Sequence, residues 1–81
     1  MKTIADMIGK RVVVTLLYPP EERTYIGTLA GVEGHMIGVE VTRTLINMIE
    51  EEADRGIHWY NSVAPTFSEI KGYDDGPLEV E

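Results

Sequence analysis

Four glycines spaced through residues 26–41 constrain the fold of this chain more than any other part of its sequence. They fall within two stretches that alternate between apolar and polar residues, and a tight turn joins the two stretches. Glycine inside a strand marks a sharp bend, a bulge or a close approach between two backbones. The glycines are Gly27, Gly31, Gly34 and Gly38. Strands bent this often predict a short sheet that curls into a small barrel.

The length and composition of the chain indicate a single small domain. It has 81 residues, and a chain of this size buries only about 60% of its unfolded surface. Cysteine is absent, so neither disulfides nor cysteine-bound metals add stability. We therefore expect self-association as a further source of buried surface. The sequence has no apolar run long enough for a signal peptide or a membrane span, which predicts a cytoplasmic protein.

The net charge of −7 is unevenly distributed, and this bears on the expected partners. Eight of the 14 acids lie in two runs, at residues 50–54 and 74–81. Without these eight, six acids face seven Lys and Arg, a balance of +1, so the body of the chain is near neutral. Solvated, solubilising segments are one interpretation of the runs. The other is that they repel off-target polyanions or bind a basic partner.

The first residues of the chain carry the signals of a short helix over residues 3–9. Thr3 suits the N-cap position and Gly9 suits a C-terminal stop. Ile4, Met7 and Ile8 have the spacing of one apolar stripe. A helix this short is unstable alone, so we expect it to dock on the apolar end of the sheet.

Runs of β-branched and aliphatic residues predict five strands. The segment 44–50 fits either a helical face or a continued strand; we favour a long, bent third strand that ends at a hairpin turn over residues 53–56. Residues 1–73 are expected to form one domain, followed by an acidic tail at 74–81 in which Gly76 and Pro77 block regular structure. The predicted strands cover residues 10–18, 23–32, 37–49, 57–64 and 67–72, with a tight corner at 65–66.

Two motifs resemble the Sm and Sm-like (LSm) protein family, within residues 3–72. Residues 8–16, Ile-Gly-Lys-Arg-Val-Val-Val-Thr-Leu, resemble the start of that family's first strand. Residues 27–33, Gly-Thr-Leu-Ala-Gly-Val-Glu, resemble the first half of its first motif. The resemblance implies a mostly β fold, an Sm-like (SH3-like) five-stranded, strongly bent small barrel with a short N-terminal α-helix. It also implies a closed homo-oligomeric ring, in which strand four of one subunit pairs with strand five of the next, and binding of single-stranded RNA.

The chain departs from the family pattern at the positions that contact RNA. Ile37 and Gly38 stand where the family has Met-Asn, in a loop one residue longer, and Ala64 stands where it has Arg. Gly38 offers no side-chain hydrogen bond, so stacking on His35 or Met36 is the contact that remains. The RNA-contact positions implied by the resemblance are His35, Met36, Gly38, Pro65 and Thr66.

The fourth predicted strand concentrates aromatic residues that suit a subunit interface. In an alternating strand, Trp59 and Asn61 face one way while His58, Tyr60 and Ser62 face the other, and one of these faces packs the core. Tyrosine and tryptophan are enriched at protein–protein interfaces, and ordinary core packing is the alternative. The interface residues that we expect are His58, Tyr60, Ser62, Phe67 and Ile70.

The sequence carries no pattern typical of catalysis. Glu33 and His35 share a turn, but no nucleophile or third group accompanies them. His35 and His58 lack the spacing of metal ligands, and the glycines do not form a phosphate-binding loop, so neither a metal nor a cofactor is expected. The sequence therefore predicts a non-enzymatic, ring-forming Sm-like protein that binds single-stranded RNA weakly. The alternative is a protein-interaction or assembly module that keeps the barrel and has lost the RNA site.

Overall fold

The computed structural model describes residues 3–53, 55–73 and 76–77, and these are mostly β-strand, as predicted. Valine, isoleucine and threonine are frequent in the strands because branched side chains pack well on a pleated surface. The strands are β1 (Arg11–Tyr18), β2 (Glu21–Glu33), β3 (Met36–Ile46), β4 (Ile49–Glu51), β5 (Gly56–Asn61), β6 (Phe67–Gly72) and β7 (Gly76–Pro77).

The strands form one antiparallel sheet in the order β4–β3–β2–β1–β6–β7, and β5 also pairs with β3. β5 lies along residues 36–41 of β3, whereas β4 lies along residues 44–46. Within the described residues β5 pairs with β3 alone, and β6 pairs with β1 and, over two residues, with β7. The sheet is therefore not closed into the barrel that was expected, and β4, β5 and most of β6 lie at its edges.

The hydrophobic core lies on the inner face of this sheet. Leu29, Ile37 and Val39 are fully buried, and the N-terminal turn adds Met7, which is 1% exposed. Burial of each such side chain contributes about 1.5–3 kcal/mol to folding. The core residues are Ile4, Met7, Val12, Val14, Leu16, Leu29, Ile37, Val39, Val41 and Ile70.

Glycines lie at the two points where the pairing of β2 with β3 shifts by a residue. The first shift falls between Ile26 and Gly27, where a Cβ on Gly27 would lie 2.0 Å from the carbonyl oxygen of Glu40. Only a residue without a side chain permits this approach of two backbones. The second shift falls between Leu29 and Gly31. The prediction that glycines mark irregular points in this strand pair is confirmed.

The N-terminal α-helix was predicted wrongly, because a short 3-10 helix over Ile4–Met7 takes its place. A 3-10 helix has three residues per turn, so residues i and i+3 share a face. Ile4 and Met7 are accordingly buried, whereas Ile8 is 51% exposed. The Gly9 amide donates to the carbonyl oxygen of Leu29 at 2.8 Å, so the chain joins the sheet instead of continuing the helix.

The third strand is shorter than predicted. It ends at Ile46, and a two-residue turn of Asn47 and Met48 returns the chain as β4, with Ile46 opposite Ile49. Both turn residues have positive φ, 52° and 68°, as hairpin turns that match the strand twist require. The segment 44–50 is therefore strand, turn and strand. The hairpin turn expected at 53–56 includes Asp54, which lies outside the described residues.

The C-terminal strands follow the prediction in part. β6 has the predicted bounds, but β5 ends at Asn61, whose side-chain oxygen accepts the Val63 amide at 3.1 Å and so favours a turn there. Gly76 and Pro77 were wrongly expected to lack regular structure, because they pair with β6. Residues 74, 75 and 78–81 of the expected tail lie outside the described residues. Along the described chain, no helix is both long and apolar enough to cross a membrane.

Candidate functional site

The structure brings together the two loops in which RNA contacts were expected. The β2–β3 turn presents His35, and the β5–β6 loop covers residues 62–66. The backbone amide and the hydroxyl of Ser62 both donate to the carbonyl oxygen of His35, each at 2.9 Å. The Leu17 amide donates to the carbonyl oxygen of Thr66 at 2.7 Å, which holds the far end of the loop against β1. We call residues 34–36 and 62–66 the loop cluster.

The loop cluster is exposed and lacks positive charge. His35 and Pro65 are exposed, Met36 is 37% exposed, and Thr66 is half-buried. Neither of its two segments contains Lys or Arg, and the neighbouring Glu33 adds a negative charge. Phosphate recognition depends on cationic side chains, so the cluster can offer stacking and backbone contacts but no strong attraction for a nucleic-acid backbone.

Gly38 serves packing in this structure. It lies opposite Trp59 of β5, and a Cβ at residue 38 would lie 2.9 Å from Cη2 of the indole. Gly31, the partner of Gly38 on β2, would place its Cβ 3.6 Å from the same indole atom. The two glycines thus form a shallow seat for Trp59, and the position implied for RNA contact is occupied by that ring.

The expected interface residues mostly face the inside of the sheet. Tyr60 and Phe67 pack against the core, and Ile70 belongs to it with 2% exposure. His58 is half-buried, and Ser62 is engaged with the β2–β3 turn. These side chains therefore stabilise the fold of the single chain.

The outer face of β5 carries two apolar side chains that sequence reasoning did not assign to an interface. Ile57 is 54% exposed and Trp59 is 46% exposed. Alternation correctly separates Trp59 from Tyr60 but does not tell which of the two faces the core. A tryptophan opposite a pair of glycines is the signal that could have placed it, because aromatic rings cover glycines on neighbouring strands.

The guanidinium of Arg23 on β2 is paired with a carboxylate. Arg23 donates its Nε–H to the Glu21 carboxylate at 2.7 Å, and its guanidinium lies 5.2 Å from the centroid of the Tyr18 ring. The hydrogen bond to Glu21 raises the pKa of Arg23, so this guanidinium remains charged. Within residues 3–53, 55–73 and 76–77, no three His, Cys, Asp or Glu side chains are grouped so that they could hold a metal ion.

Comparisons of the chain with protein-family models, with curated proteins and with solved structures gave no match.

Proposed function

We propose that this protein is a non-enzymatic assembly module that associates with copies of itself through the edges of its sheet. The main support for this proposal is that, within the described residues, β5 and β6 lie at edges of the same short sheet. Unpaired backbone amides and carbonyls at such edges form hydrogen bonds with another strand readily. Pairing β5 of one copy with β6 of the next covers both of these edges.

The exposed apolar side chains of β5 support this use of the edge. Ile57 and Trp59 stand next to each other on its outer face. Aromatic and aliphatic residues concentrate at interface centres, and a lysine-poor edge offers no protection against pairing. β5 contains no Lys, Arg, Asp or Glu.

Association between two different edges is head-to-tail, and it gives a closed ring when the rotation between neighbouring copies closes. The bends of β2 and β3 at their glycines supply curvature to each copy. An Sm-like ring is thus the assembly that we propose, with the bent, open sheet as its subunit.

Light scattering on the purified chain tests this proposal. We expect a defined oligomer at micromolar concentration, and Ile57→Lys should shift it towards monomer because a lysine on an edge opposes strand addition. Leu17→Lys is the matched control, since Leu17 is 42% exposed on β1, which is paired with β2 on one side and β6 on the other. A monomeric wild-type chain, or equal effects of the two variants, would reject the proposal.

Weak binding of single-stranded RNA is a second candidate, favoured by the hydrogen-bonded loop cluster. Exposed His35 and Met36 offer surfaces for stacking, which contributes about 1–3 kcal/mol per base. Repetition around a ring would add avidity to sites that are weak alone. Fluorescence anisotropy with labelled oligouridylate at low salt tests it: His35→Ala should lower the affinity, and Met48→Ala, at an exposed site on the β3–β4 turn, should not. Absence of binding, or unchanged affinity in His35→Ala, would exclude the loop cluster as an RNA site.

A further inference from the structure

A cavity of about 270 Å³ opens on the inner side of the bent sheet, where β3 leaves β5. Its walls combine aromatic, apolar and polar side chains from three strands. The lining residues that carry the argument are Tyr25, Val41, Thr44, Ile46, His58 and Tyr60. The cavity shares no lining residue with the loop cluster, and all of its lining residues belong to one chain.

One wall of the cavity is a pair of tyrosine rings. The ring centroids of Tyr25 and Tyr60 are 5.3 Å apart, and the ring planes are tilted by 34°. Both residues pack against the core, which holds the two rings in place. Aromatic surfaces fixed in this way favour a flat ligand, because stacking needs ring faces and little further ordering.

Thr44 adds a polar group that the folded chain leaves without a partner. The residue is 8% exposed, and its Oγ1 has no hydrogen-bond partner among the described residues. A buried hydroxyl without a partner is costly and calls for a bound water or ligand. The oxygen itself is shielded from solvent, so a rotation of the side chain between staggered positions is needed to point it into the cavity.

The charges at the rim define what kind of ligand fits. Arg23 is paired with Glu21, and the Glu52 carboxylate also lines the cavity. Glu52 would repel an anion, because Arg23 is already paired with Glu21, and the aromatic and apolar walls favour a neutral molecule over a hydrated cation. The cavity volume of about 270 Å³ is large enough to admit a single ring with its substituents.

We infer that this cavity binds a neutral, planar, single-ring heteroaromatic molecule of the pyrimidine-base type, stacked on the Tyr25–Tyr60 pair and hydrogen-bonded by Thr44. The inference is independent of assembly through the edges, because every lining residue belongs to one chain. A free base and a base within single-stranded RNA share this chemistry, and the experiment below distinguishes them.

Titration of the full chain with uracil, followed by methyl NMR, tests the inference. We expect saturable shifts of the methyl signals of Thr44, Val41 and Ile46, and much weaker binding of benzoate, an anionic ring of similar size. Thr44→Val keeps the shape and removes the hydroxyl, and it should weaken uracil binding roughly three- to tenfold, the range expected for one net hydrogen bond. Thr28→Val, at an exposed position of β2, is the matched control and should bind like the wild type.

His35→Ala separates this site from the loop cluster and should leave the uracil shifts unchanged. If oligouridylate produces the same shifts as uracil, the ligand is a base of RNA; if uracil alone does so, it is a free base, and either result supports the site. Absence of shifts up to the solubility limit of uracil, shifts confined to the loop cluster, or unchanged affinity in Thr44→Val would overturn the inference.

Discussion

The outer edge of the Trp59 indole lies so close to the backbone of Gly38 that a methyl group does not fit between them. A Cβ on Gly38 would approach three carbon atoms of the six-membered ring at 2.9–3.0 Å. The ring extends across β3 towards Gly31 on β2, and it is still 46% exposed. The strand pair whose glycines predict bends therefore also holds the largest side chain in the protein.

Gly38→Ala should destabilise the fold by about 1–3 kcal/mol, because the added methyl group forces the indole or the backbone to move. Urea denaturation measures the change. Gly31→Ala is the control: its Cβ would lie at an ordinary 3.6 Å from the indole, so its stability should be equal to or higher than that of the wild type. Combining Gly38→Ala with Trp59→Leu should recover part of the loss, and strictly additive effects would contradict the contact.

Met48→Gly should stabilise the protein by up to about 1 kcal/mol. Met48 has φ 68° and is 70% exposed, so glycine relieves the left-handed conformation without removing packing. Asn-Gly is also the preferred pair in two-residue hairpin turns. Thermal unfolding checks the change, with Met48→Ala as the variant that should bring no gain because alanine keeps the strain.

Asn47→Ala should cost about 1–2 kcal/mol. The Asn47 side-chain oxygen accepts a hydrogen bond from the Glu22 amide at 2.8 Å, and the Asn47 amide donates to the Glu22 carbonyl oxygen at 2.7 Å. Asn47 therefore ties the start of β2 to the β3–β4 turn. Alanine loses the first bond and also strains the positive φ. Asn47→Gly loses only the bond and should cost less; a larger cost for glycine in urea denaturation would contradict this account.

Met7→Ala should destabilise the fold by about 2–5 kcal/mol, because Met7 is 1% exposed within the core. Ile8→Ala, one residue further along the chain, should change stability by less than about 0.5 kcal/mol, since Ile8 is half exposed. Equal melting temperatures of the two variants would mean that the 3-10 helix does not dock on the sheet as described.

Local pattern was sufficient to predict most strands. The Val-rich run of β1, the alternation of β2 and the bounds of β6 all follow from β-branched residues and from prolines and glycines that interrupt them. The turn at Asn47 and Met48 escaped prediction because Met is an unusual residue for a left-handed conformation. The N-terminal helix was mistaken for an α-helix because three apolar residues at positions 4, 7 and 8 also fit the α-helical spacing.

The candidate sites depend on distances that no local pattern contains. The sequence places His35 and Ser62 27 residues apart, and only the pairing of β3 with β5 joins them by hydrogen bonds. The same pairing turns Tyr60 inward against Tyr25 and Trp59 outward over Gly38. One residue of register decides which aromatic ring serves the core and which is exposed.

The sequence by itself determined that this chain is a small, mostly β domain with glycine-marked irregular points in its central strand pair. The strand preference of branched side chains and the backbone freedom of glycine are local properties, so they can be predicted from the amino-acid sequence. Only the tertiary structure decided that the sheet stays open, that β4, β5 and β6 lie at its edges and that a cavity lies beside Thr44. These features arise from contacts between residues distant in the chain, where packing and pairing select among arrangements that local preferences leave equally favourable.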